Sequence, residues 1–134
     1  MLNPKLVAEI VTQIKGVVGK TLPVSVKCRI GIDGHDSWEE LVQFIKIVSE
    51  EGGVTKFQIH ARKCISGLRP KGNRSVPELK YDWVYRLAKE FPYLNFVLNG
   101  GCDSIDKAKN ILSGGDINPD KADIEGCMVG RLAI

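Results

Sequence analysis

Lys27, His60, Asn99 and Arg131 each stand at or near the end of an apolar run, and each brings a group able to grip an anion or a polar ring. A lysine in that position stabilises negative charge on a reduced cofactor, or shifts its pKa if it is desolvated. A lone histidine is more often a satisfied core residue. His60, however, lies on the polar parity of its run, beside the run carrying Lys27, and this favours a shared pocket. Asn99 adds a donor or an acceptor on a third run. The motifs Asn99-Gly100-Gly101 and Val129-Gly130-Arg131 close the last two runs. Either alone reads equally well as a turn. Together they suit a phosphate, because glycine lets backbone N–H groups approach closely and Arg131 adds a charge-assisted contact.

A second kind of chemistry follows His60. The stretch IHARKCISGLRPKGNR, residues 59–74, runs from an apolar strand pattern into a basic segment. Between Arg62 and Lys80 stand six basic residues (Arg62, Lys63, Arg69, Lys71, Arg74 and Lys80) against one acid, Glu78. A charged loop is usually only a solvated loop. This one far exceeds the usual βα connection of about 2–6 residues, and long loops tend to be functional. Dense Lys and Arg among glycine and proline suit a phosphate backbone. The loop holds no aromatic residue for base stacking, so backbone and shape contact are its natural use.

The elements that must carry these residues read clearly. Asn3-Pro4 looks like an N-cap with proline at the first helical position; Leu6, Val7, Ile10, Val11, Ile14, Val17 and Val18 then recur on one face, and Gly19 closes the helix. PVSVKCR, residues 23–29, alternates Val24, Val26 and Cys28 against Ser25, Lys27 and Arg29. Ser37-Trp38-Glu39-Glu40 is a capping box opening a helix with Leu41, Val42, Phe44, Ile45 and Val48, stopped by Gly52-Gly53. KFQIHAR alternates in turn, with Phe57, Ile59 and Ala61 against Gln58, His60 and Arg62. Asp82 is read as the cap of a helix bearing Val84, Leu87, Ala88 and Phe91, ended by Pro92. NFVLNGG gives a third strand, Ser104 starts a short helix with Ile105, Ala108, Ile111 and Leu112, and IEGCMVGR, residues 124–131, gives a fourth strand.

A helix followed by strand–helix three times and a last strand calls for a parallel sheet covered by helices. A doubly wound sheet would show near-continuous apolar strands. Here the polar residues gather at the C-terminal strand ends, where barrel enzymes hold their active sites. The fold class is therefore α/β, a partial (β/α)₈ TIM barrel of about four βα units. A complete barrel needs about 250 residues, so residues 1–134 form one partial barrel domain, a fragment of a larger enzyme or a half-barrel that pairs with a second copy. Its outer strands would be left with open edges.

Bulk composition is permissive. The chain of 134 residues is 43% hydrophobic and 26% charged, ordinary for a globular domain, and its net charge of +3 implies no nucleic acid by itself. No apolar run approaches the ~20 residues a membrane span needs. The start has no signal-peptide shape, which points to the cytoplasm, or to an organelle interior (chloroplast or mitochondrion) if an upstream transit peptide has been lost. Cys28, Cys64, Cys102 and Cys127 show no Cys-x-x-Cys or Cys/His spacing, so no metal site is read, and Cys28 and Cys127 fit small buried residues in a reducing compartment.

VKCRIGIDGHDSWEEL, IHARKCISGLRPKGNR, NGG and MVGR closely resemble the tRNA-dihydrouridine synthases, in their DusA-like branch, and the likeness runs from the first helix to Arg131. The HARK…GL.PK.NR block is the specific part; NGG and GR recur in many flavin barrels. The resemblance implies the C-terminal half of an FMN-containing catalytic barrel, in an enzyme that reduces the C5–C6 double bond of tRNA uridines and uses NADPH to recharge the flavin. It implies that Lys27, His60, Asn99, Gly100, Gly101, Gly130 and Arg131 contact FMN, and that Lys71 and Arg74, with Arg62 beside them, face tRNA. It also implies a monomeric full-length enzyme.

Departures are equally plain. The family's catalytic acid is a cysteine in an Asn-x-Gly-Cys-Pro loop, and no cysteine of residues 1–134 stands in that context, Cys102 included. No catalytic residue is therefore assigned here, and the segment alone is expected to lack synthase activity. The insertion SGGDINPDKAD lengthens the last connection relative to bacterial relatives. Two rivals remain: a different FMN barrel, dihydroorotate dehydrogenase-like, acting on a small molecule, and a non-catalytic RNA-binding remnant. The basic loop weighs against the first, and bound flavin would weigh against the second.

Overall fold

The computed structural model describes residues 1–114, 118 and 122–130. Helix α1 spans Pro4–Val18, strand β1 Val26–Arg29, helix α2 Trp38–Glu50 and strand β2 Lys56–His60. A 3₁₀ turn, Gly72–Arg74, interrupts the basic loop before helix α3, Tyr81–Glu90; β3 (Asn95–Asn99), α4 (Ile105–Ser113) and β4 (Gly126–Met128) complete the order. The strands form one sheet in the order β1-β2-β3-β4, and every pairing is parallel. Parallel neighbours need crossover helices, and the three strand–helix units supply them. This is the expected partial barrel. Among the described residues β1 and β4 each pair on one side only.

Alternation sets the two faces. Phe57, Ile59, Phe96 and Leu98 are buried toward the helices, and the Phe57 and Phe96 rings stack with centroids 5.9 Å apart. Leu41, Ile45 and Val48 of α2 and Val84 and Leu87 of α3 complete this layer with no accessible surface. Local chemistry fixes the helix starts. The Asn3 side chain accepts from the Leu6 N–H at 3.1 Å, and Ser37 and Glu40 form the full capping box. Ser104 caps α4 by accepting from Lys107 N–H, while Gly19 at φ 64 closes α1. Trp38 meets Trp83 edge-on at 5.5 Å, with Arg86 over the Trp38 ring and Lys80 over the Trp83 ring. These contacts tie the start of α2 to α3, beside the end of the basic loop.

Four expectations need correction. The α1 stripe of Leu6, Ile10, Ile14 and Val17 is exposed, at 44–88%; the buried residues are Ala8 and Val11. Among the described elements helix α1 lies chiefly on α2, and small Ala8 allows the close approach at Gly52. Asp82 is not a cap: Lys80 holds that position without a side-chain bond, and Asp82 lies in the first turn, where the helix dipole favours an acid. Strand β1 excludes Pro23, Val24 and Ser25, and β4 is only three residues long. Pro23 lacks the N–H a ladder needs, and both are outer strands paired along one edge. Arg131 and most of the insertion lie outside the described residues.

Phe57→Ala should destabilise the fold by about 3–5 kcal/mol, since it leaves a cavity against Phe96 that the sheet cannot close. Urea denaturation measures this, and a loss below about 1 kcal/mol would mean that the layer is loosely packed.

Candidate functional site

Register decides which polar side chains meet. Arg29 pairs with His60, His60 with Asn99 and Asn99 with Met128, so these four share one rung at the C-terminal edge of the sheet. Lys27 pairs with Gln58 two residues below. His60 therefore sits beside Arg29 rather than level with Lys27. All belong to the parity opposite Phe57 and Ile59, hence to the face turned from the helices.

A cavity of about 310 Å³ opens over this rung, lined by Lys27, Arg29, His60, Asn99, Gly100, Gly101 and Gly130, with Arg74 and Pro70 from the basic loop and with Cys102 and Met128. No carboxylate is among its lining residues. Six of the residues predicted from sequence for a cofactor therefore share one cavity; the seventh, Arg131, lies beyond the described residues. Sequence reasoning assigned no place in the site to Arg29, Pro70, Cys102 or Met128. Met128 was legible in principle, since it holds the polar parity of β4 next to Gly130.

The glycine turn after β3 is braced from two sides. Gly100 has φ 115 and Gly101 φ 66, conformations that side chains rarely adopt. A Cβ at position 100 would lie 2.6 Å from His60 Cδ2, so glycine is what lets the histidine ring lie against the turn. The Tyr81 hydroxyl donates to the Gly100 carbonyl at 2.5 Å, and Leu79 packs over both glycines. Burial foremost pushes the Tyr81 hydroxyl up to about 12, so it stays a donor through the physiological range. The turn's backbone is thereby fixed before any ligand arrives.

The basic loop is folded. Arg29 Nη1 donates to the carbonyls of Lys63 (2.8 Å) and Asn73 (3.0 Å), which pins the loop over the strand ends. Lys63 Nζ reaches Asp36 Oδ2 at 2.8 Å, and the Asp33 carboxylate accepts from Ser66 N–H at 2.8 Å. That backbone hydrogen bond, first among its causes, holds Asp33 below the usual carboxylate range. Arg62 donates to the Pro77 and Ser75 carbonyls, so it braces the loop from within. Lys71 and Arg74 are both exposed, and Arg74 N–H bonds the Lys71 carbonyl at 3.2 Å. Residues three apart eclipse in a 3₁₀ turn, so these two cations share one side.

The cysteines stand apart from this chemistry. Cys28 belongs to the helix-facing parity, and burial pushes its thiol up to about 12. Cys102 lines the cavity, but its sulfur lies 3.7 Å from that of Cys127 and 3.8 Å from the Ser104 carbonyl. Burial and the Cys102 thiol push Cys127 up to about 11. No cluster of metal-ligating side chains occurs among the described residues, and no helix among them is long and apolar enough to cross a membrane.

Comparison with known proteins matches residues 1–134 to the dihydrouridine synthase family. The tRNA-dihydrouridine(20/20a) synthase of Vibrio vulnificus (strain CMCP6) is 46% identical over 134 residues, which cover 99% of this chain and 38% of that protein. The synthase of the same name from Escherichia coli (strain K12) is also 46% identical over 134 residues, covering 36% of its length. The chain thus spans well under half of these relatives.

Gly100→Ala should cost about 2 kcal/mol or more, through a strained φ and collision with His60. Gly126→Ala, where a Cβ meets nothing within 4 Å, should cost less than about 0.5 kcal/mol. Denaturation curves of the two variants would contradict this geometry if they coincided.

Proposed function

This chain belongs to the dihydrouridine synthase family, and from that premise we propose that it is the C-terminal half of the FMN-binding barrel of a tRNA-dihydrouridine synthase. The observation that carries the reading is the shared cavity: Lys27, His60, Asn99, Gly100, Gly101 and Gly130 line it together with Arg74 of the basic loop. The residues present fit FMN. Their donors are cationic or neutral, the described lining holds no acid to oppose a phosphate, and glycine at position 100 lets His60 lie against the turn so that both face one cavity.

In this reading the backbone of Gly100, Gly101 and Gly130 receives the phosphate end; the sequence adds Arg131, which lies outside the described residues. Lys27 favours negative charge on the ring system and raises its electron affinity. His60 and Asn99 orient the ring from the same rung, and the braced glycine turn keeps them from reorganising. FMN held by these residues would supply hydride chemistry for the C5–C6 double bond of a tRNA uridine, with NADPH as the reductant. The exposed pair Lys71 and Arg74 holds the phosphate backbone of tRNA at the rim, and Arg62 keeps the loop in shape from within. The proton for C5 comes from outside this set of residues. No cysteine among 1–134 has the family's Asn-x-Gly-Cys-Pro context, so the chain alone is inactive. The compartment is the cytoplasm or an organelle interior.

The test is binding rather than turnover. FMN added to the purified chain should bind, and labelled tRNA should shift. Lys71→Glu with Arg74→Glu should weaken tRNA binding by about tenfold or more, because two phosphate contacts become repulsions. Undiminished binding by the double variant would remove the basic loop from the reading, and dihydrouridine formation by the chain alone would refute its inactivity.

A further inference from the structure

Asn73 sits between the two exposed cations of the basic loop and is itself buried, with 7% of its surface accessible. Both polar atoms of its side chain are occupied. Oδ1 accepts from the Ile65 N–H at 2.7 Å, and Nδ2 donates to the carbonyls of Ile65 (2.8 Å) and Leu68 (3.0 Å). Its own carbonyl accepts from Arg29 Nη1 at 3.0 Å, and its N–H donates to the Arg69 carbonyl at 3.0 Å. The segment from Ile65 to Leu68 belongs to no helix or strand, and its half-buried ends find in Asn73 the hydrogen-bond partners that a ladder would otherwise supply. A buried amide that meets every hydrogen-bonding demand in a cation-rich loop fixes that loop's shape.

Resting on the function proposed above, we infer that Asn73 is a positioning residue for RNA. It holds the 3₁₀ turn so that Arg74, exposed beside Lys71, stands at the border between the cofactor cavity and the nucleic acid. With Asn73 facing inward, the residues flanking it are driven to the surface. Through the Arg29 guanidinium the same turn is anchored to the rung that carries His60 and Asn99. The cations are therefore presented at a fixed place relative to the cavity, and a flexible loop of the same charge would lose entropy on ordering against RNA.

Salt dependence separates positioning from mere folding. Unmodified tRNA transcript is titrated into the 134-residue chain across a salt series, with anisotropy as the readout. Asn73→Ala should lower affinity about tenfold and reduce the slope of log affinity against log salt by about one, as Arg74→Ala does, because a phosphate contact is lost. A smaller folded fraction would lower affinity equally at every salt concentration and leave the slope alone. The double variant should bind within about twofold of Arg74→Ala alone, since Asn73 acts through that side chain. If the alanine variant does not fold, Asn73→Asp serves: it keeps the acceptor for Ile65 but turns an oxygen on the two carbonyls, and the same slope loss is expected. An unchanged slope, or additive losses in the double variant, would overturn the inference while tRNA binding by the unsubstituted chain still supports the function. If the unsubstituted chain binds no tRNA, both fall.

Discussion

The rung Arg29–His60–Asn99–Met128 is the constraint on which everything else depends. Side chains in a strand alternate faces with a period of two, so a slip of one residue between any two strands would send one member of the rung into the helix layer. The register is held by what lies on the opposite face. Phe57, Ile59, Phe96 and Leu98 are fully or almost fully buried, and shifting them would expose large apolar surfaces to the solvent side. The hydrophobic core thus does its work for the site indirectly. It specifies register, and register specifies which polar groups converge.

A second layer of order is built on that rung. Arg29 turns upward to the basic loop, while His60 lies against Gly100, whose carbonyl is held by Tyr81 from the loop's far end. Lys80 N–H donates to the Ala61 carbonyl at 2.8 Å, which closes the circuit from β2 through the loop to α3. The loop is consequently one wall of the cavity as well as an outer surface. Such sharing suits chemistry in which a cofactor and a bulky polyanion must meet at one edge, and the acid-free lining serves both.

Much of this was legible in the chain itself, for physical reasons that differ by residue. Alternation in PVSVKCR and KFQIHAR assigned faces correctly, because burial on one face leaves a period-two signature. Asn3, Ser37 and Ser104 were legible as caps because capping is local. Asp82 misled for the same reason: it has the right chemistry two residues too late, and the backbone of Lys80 was already committed to Ala61. The pairing of His60 with Arg29 was hidden, since register between parallel strands is a tertiary property. The exposed stripe of α1 was hidden too, because periodicity reports an apolar face and not what lies against it. Asn73 escaped notice because its importance lies in burial, and composition makes a basic loop look wholly solvated. Family membership came from the specific block around His60 and Arg74, and the match over residues 1–134 supports it.

The most direct measurement is an amide-resolved NMR titration of the chain with FMN. Lys27, His60, Asn99, Gly100 and Gly101 should shift together with one dissociation constant, while Leu41, Ile45 and Val84 beneath the sheet stay still. Shifts scattered over the helix layer, or strand ends that respond with different constants, would contradict the convergence of these side chains on one ligand.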